Sequence, residues 1–158
     1  MNNLVLLAAV ISLTLCSCCS TDNTLDSQTV TDQQERIDIL SKEITVFSVV
    51  LDAEYNLYRT GGFSSFKAPA LGPTDVDYKF VVKVQPLDVN KWISKDLKAI
   101  PISQSGDSWM HNLVSKRKNN WVTTSNPEFY TTKQYVGPNF LKVVYRKEGI
   151  IYSYIELN

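Results

Sequence analysis

Between residues 35 and 51, apolar side chains recur at steps of three and four: Ile37, Leu40, Ile44, Phe47 and Leu51. An α-helix turns once every 3.6 residues, so this spacing gathers them on one face. The second part of the stretch, "ITVFSVVL", is rich in β-branched residues and also suits a strand. The pattern therefore predicts a helix over roughly 33–44 running into a strand over roughly 45–51. Residues 77–85, "DYKFVVKVQ", alternate instead. Tyr78, Phe80, Val82 and Val84 fall on one side, with Lys79, Val81, Lys83 and Gln85 on the other. A period of two predicts a half-buried strand.

"PLDVNKWISKDLK" (86–98) begins on a proline, and Val89, Trp92, Ile93 and Leu97 follow at helical spacing. It predicts a short helix. A second short helix is expected through "SWMHNLVSKRK" (108–118). "YRTGGFSS" (58–65) and "APALGPT" (68–74) are turn-rich and read as loops. In "NFLKVVYRKEGIIYSYIEL" (139–157) two β-rich runs flank Lys147-Glu148-Gly149, the pattern of an antiparallel hairpin. Strands near 121–124 and 129–135 are expected beside it. The order of elements predicts an α+β fold: a small single domain with a mostly antiparallel sheet, two to three short helices and a C-terminal β-hairpin.

Composition narrows the function classes. The chain has 158 residues, sixteen acids and sixteen bases, so its formal net charge is zero. A nucleic-acid binder carries a basic excess, and none is present overall. The charges are unevenly placed, however. Residues 19–75 hold nine acids and four bases; residues 76–158 hold seven acids and twelve bases. Either the two parts attract each other within one fold, or the basic part faces an acidic partner.

The N-terminus has a different character. "LVLLAAVI" (4–11) and "SLTL" (12–15) carry no charge, and the first charged side chain is Asp22. This run is shorter than the roughly 20 residues of a membrane-spanning helix and matches the apolar core of a signal peptide. All three cysteines follow it, at 16, 18 and 19. In "LCSC", Leu15 lies three residues before Cys18 and small Ser17 lies directly before it. The arrangement resembles the lipobox of bacterial lipoproteins. That resemblance implies cleavage between Ser17 and Cys18, a diacylglycerol on the Cys18 thiol, and an acyl chain such as palmitate on the new amine. An ordinary cleaved signal and an uncleaved anchor are the alternatives. One chain binds a membrane only marginally, at about 0.8 kcal/mol per buried CH2, whereas two or three hold it firmly.

The resemblance divides the chain into a signal peptide (1–17), a lipidated cysteine with a flexible tether (18–34) and a globular α+β domain (35–158). "STDNTLDSQTVTDQQ" (20–34) is polar enough to be read as disordered. Cys19 has no later cysteine to pair with, so no intrachain disulfide is expected. The residue after Cys18 is not aspartate, which by the same resemblance favours the outer membrane in a Gram-negative cell.

Candidate chemistry in the domain is sparse. His111 is the sole histidine and stands near Ser105, Asp107 and Ser108. A hydrolase of the serine–histidine–acid type needs those residue types, but no G-x-S-x-G elbow occurs. One histidine and no cysteine after position 19 do not make a Cys/His zinc site, and no EF-hand loop or phosphate-cradling glycine motif is found. No catalytic residue, metal ligand or cofactor is assigned. "SKRKNNW" (115–121) is the one charge run beside an aromatic ring. Lys116, Arg117 and Lys118, with Trp121 and Trp109, form a candidate binding patch, set against a simple solvated helix end. The expected function is that of a membrane-anchored envelope lipoprotein, non-catalytic, whose domain binds a protein or glycan of the envelope in an inhibitory, protective or scaffolding role. Its expected partners are the bilayer, through acylated Cys18, and that envelope component, not nucleic acid. A hydrolase using His111 and a structural anchor between wall and membrane are the alternatives.

Overall fold

A computed structural model describes residues 22–63, 75–101, 107–132 and 139–157. The fold is α+β and rests on a seven-stranded, wholly antiparallel sheet. In chain order the elements are β1 (Thr24–Asp26), α1 (Gln33–Glu43), β2 (Val50–Arg59), β3 (Val76–Val84), β4 (Leu97–Ile100), α2 (Asp107–Leu113), β5 (Glu128–Thr132), β6 (Asn139–Tyr145) and β7 (Ile150–Leu157). 3-10 segments occupy Ser27–Thr29, Pro86–Trp92 and Ser115–Trp121, the last kinked at Arg117, whose backbone is not helical. Spatially the strands run β1-β2-β3-β7-β6-β5-β4. Two meanders, β1 to β3 and β4 to β7, are thus joined through the β3–β7 pair. Among the described residues, no helix is long and apolar enough to cross a membrane.

Both faces of the sheet are covered. Leu40 of α1 packs with Tyr55, Leu57, Phe80, Val82, Trp92, Val144 and Ile151 on one face. Met110, Leu113 and Val114 pack with Trp121, Val81, Phe129, Val143 and Tyr152 on the other. The middle of β3 is therefore not half-buried as its alternation suggested: Phe80, Val81 and Val82 are all buried. A strand sandwiched between layers needs apolar residues on both sides.

α1 matches the expected helix. Asp32 caps it by accepting the Glu35 N–H at 2.8 Å. The following strand begins at Val50 rather than Thr45, and Ile44–Val49 form an irregular passage. The segment after Pro86 is 3-10 rather than α-helical. Three residues per turn eclipse i and i+3, and Val89 and Trp92 are the pair it buries. Leu97 leaves that turn to start β4, which the helical spacing had hidden. The expected helix over 108–118 breaks at Val114 and continues as the 3-10 segment. No strand forms at 121–124, where the backbone is fixed by Glu148. That carboxylate accepts from the N–H and hydroxyl groups of both Thr124 and Ser125.

The expected tether requires a correction. From Asp22 onward its residues are part of the fold. β1 pairs with β2, and Ser27 is fully buried against Glu54. Few apolar groups anchor this segment, which is why composition misread it. Its ordering comes from hydrogen bonds to a sheet edge that needs covering. Cys18 and the signal segment lie outside the described residues, as do the loop at 68–74 and the end of the 129–135 strand.

Candidate functional site

The sheet face beneath α1 is not fully covered. Between the end of α1 and β4 it forms an open groove of about 680 Å³, within the roughly 300–1,000 Å³ typical of small-molecule sites. Register explains the composition of its floor. A row crosses the sheet through Phe80, Ser153, Lys142 and Tyr130, each paired with the next. One step nearer the open end comes the row Tyr78–Ile155–Phe140, and after it Val76–Leu157. The floor thus carries Lys142 and Ser153 in one row and apolar side chains in the next two, while the Glu43–Arg59 ion pair lines the groove beside Val76, which Arg59 faces in register. Phe47 and Trp92 close the inner wall, edge to face with centroids 5.3 Å apart. The Trp92 indole N–H donates to Ser48 Oγ at 2.9 Å.

Lys142 is the unusual residue of this floor. Strand alternation places it between Phe140 and Val144, yet it is 6% exposed. Its Nζ donates to the Trp92 carbonyl at 2.6 Å. Burial alone pushes its pKa down to about 8. Ser153, directly opposite, is fully buried and its Oγ has no hydrogen-bond partner among the described residues. On the same face near the outer edge, Arg146 holds Glu128 with contacts of 2.9 and 2.7 Å, and the Tyr130 hydroxyl donates to Glu128 at 2.6 Å. These donors pull the Glu128 pKa down to about 2.

The basic run sits elsewhere, on the other side of β2. Arg117 binds Glu54 and donates to the Ser27 carbonyl at 2.7 Å. That hydrogen bond with Glu54 raises the Arg117 pKa. Arg36 of α1 meets Asp52 at 2.8 Å and Glu54 at 3.6 Å. Arg117, itself half-buried, thus joins a network of buried charges at the sheet edge, and Lys116 donates to the Gln28 carbonyl at 2.9 Å. Lys118 is exposed. Trp121, the last residue of the 3-10 segment, is buried in the core on that face. Trp109 is half-buried, edge to face with Tyr152 at 6.0 Å. The five patch residues are near in sequence but are not presented on one exposed surface.

His111 lies exposed in the last turn of α2, and no side chain among the described residues hydrogen-bonds its ring. Ser108 is exposed too, while Ser105 and the Asp107 side chain fall outside the described residues. Among the described residues no three acids, histidines or cysteines converge as a metal site. The groove itself was missed in the sequence, although its signal was present: a lysine and a serine at positions where β6 and β7 alternation calls for apolar residues. No family model matches this chain, and neither does any curated protein or solved structure.

Proposed function

We propose that this protein is a lipid-anchored component of the bacterial cell envelope, held by acylated Cys18, whose domain works by binding an envelope component in the groove under α1. The observation that carries the binding role is the groove: about 680 Å³, with an apolar floor along β3 and β7, Lys142 and Ser153 within that floor, and the Glu43–Arg59 pair and Asp96 also in its lining. Such a combination suits recognition, with apolar contact supplying affinity and a few polar groups supplying orientation. The lipobox resemblance supports the anchor.

Two measurements test the proposal. Intact mass of the membrane-fractionated chain is expected to show cleavage before Cys18 plus acyl chains, lost in Cys18→Ser. A full-length, unacylated mass would remove the anchor. For the binding role, the full chain in lipid nanodiscs is titrated with octan-1-ol and octanoate by calorimetry, with empty discs as the blank. At least one of the two is expected to bind the wild type and to lose binding in Ile155→Trp, which fills the groove. Binding unchanged by that substitution would place any such site elsewhere.

A further inference from the structure

Among the described residues, the groove contains a charge without an ion-pair partner. Among the described residues, the other buried charged side chains are paired: Arg36 with Asp52, and Glu54 with Arg36 and Arg117. Lys142 forms no ion pair there. Its ammonium has three donors; among the described residues the Trp92 carbonyl accepts from one of them, and the Phe140 ring centroid lies 5.6 Å from Nζ. Of the acids on the groove's side of the sheet, Glu43 is bound to Arg59 and Glu128 to Arg146, and Asp96 is exposed in the groove's lining and forms no ion pair with Lys142. A buried, unpaired cation is costly. So is a buried hydroxyl without a partner, and the Ser153 hydroxyl lies directly across from Lys142 in the strand register. The two are cross-strand neighbours, and both line the groove.

The rest of the groove specifies what that anion is attached to. From Ser153 the floor continues along β7 through Ile155 to Leu157, with Phe140 and Tyr78 alongside. The four residue steps from Ser153 to Leu157 span about 13 Å of strand. Building on the groove as the binding site, we propose that its ligand is a small amphiphile: a carboxylate head bound by Lys142 and the Ser153 hydroxyl, and an unbranched apolar chain lying along β7 toward the open end. The carboxylate supplies the counter-charge that Lys142 lacks and accepts from Ser153. The chain covers apolar floor otherwise left to water.

The test compares head groups on one chain length. Octanoate, octan-1-ol and octylammonium are titrated by calorimetry into the full chain in nanodiscs, with empty discs subtracted. Octanoate is expected to bind at least about tenfold more tightly than octan-1-ol, the scale of one charge-assisted contact. Octylammonium is expected to bind weakest. Lys142→Met brings octanoate down to the level of octan-1-ol and leaves octan-1-ol unchanged. Ser153→Ala weakens octanoate severalfold and gives an independent reading should Lys142→Met fail to fold. Equal affinity for acid and alcohol would overturn the carboxylate assignment and leave the groove standing. An octanoate preference that survives both substitutions would also overturn it. Failure of all three compounds to bind would remove the groove as an amphiphile site altogether.

Discussion

Lys142 couples the stability of the fold to pH through its proton. Burial moves its pKa from 10.5 to about 8, so between those values the unfolded chain binds more protons than the folded one. Stability must then rise with pH across that window. From pH 7.5 to 9.5 the ligand-free protein is expected to gain about 2 kcal/mol from this group. Lys142→Met is expected to lose that slope and to be more stable at neutral pH, since an apolar chain replaces a desolvated cation. Urea denaturation of both proteins at the two pH values checks this. Burial raises the pKa of Tyr55, to about 12, and of Tyr152, so their opposing effect on stability sets in near their ordinary value of 10.0, above the pH 9.5 measurement. Gly149 makes a second demand at this scale. Its φ is +68°, and a Cβ there would stand 2.1 Å from the Val84 carbonyl oxygen. Gly149→Ala is expected to cost about 2 kcal/mol or more in the same assay. The glycine was legible as a turn residue of the hairpin. Its contact with β3 was not, because 65 positions of chain separate the two.

At the level of elements, the decisive problem is the exposed edge of β2. β1 covers its C-terminal half only. Beyond it, side chains take over the backbone groups. The Ser27 hydroxyl accepts the Tyr55 N–H at 2.9 Å, Arg36 Nε donates to the Ala53 carbonyl at 3.0 Å, and Gln33 donates to the Leu51 carbonyl at 2.6 Å. Such coverage protects an edge from pairing with another chain. Arg36→Ala removes an edge hydrogen bond and leaves Asp52 without its ion-pair partner. It is expected to cost about 3 kcal/mol or more, whereas exposed Lys118→Ala stays within about 0.5 kcal/mol; thermal or urea unfolding separates them. At the other edge, Glu128 has its pKa lowered to about 2 by Arg146 and Tyr130. A depressed carboxylate stabilises the fold above its unfolded value and loses that contribution as pH falls toward 2. Its side chain is 41% exposed, so solvent screening keeps the effect modest. Acid titration of Glu128→Gln is expected to show a shallower loss of stability below pH 4.5 than the wild type. α1, β3 and the last hairpin were legible because each has one period and a recognisable boundary. β1 and β4 were not: strands of three and four residues are too short to show a period, and both are fixed by their neighbours in the sheet.

Across the whole molecule, the groove is assembled from segments far apart in the chain. Its wall comes from the end of α1, its closing ring from Trp92 and its floor from β3, β7 and β6. Filling it with Ile155→Trp is expected to abolish amphiphile binding without unfolding the protein, which circular dichroism and calorimetry together check. Hydrogen exchange is expected to be slowest in β3 and β7, which sit in the interior of the sheet, and fastest in β1 and β4 at its edges. The sequence by itself determined the α+β class, the antiparallel hairpin, the first helix and the resemblance to a lipoprotein signal. Each of these is written in local period, composition or spacing. It also carried the anomaly of Lys142 and Ser153, but alternation alone does not say which face of a strand is buried or what opposes it. The tertiary structure decided that β3 is covered on both faces, that Arg117 and Trp121 serve the fold, and that residues from 22 onward pair with the sheet. It also placed Lys142 beside Ser153 under an open apolar groove. Those outcomes depend on register between strands and on which backbone edges need covering, and contacts of that range leave no period in the chain.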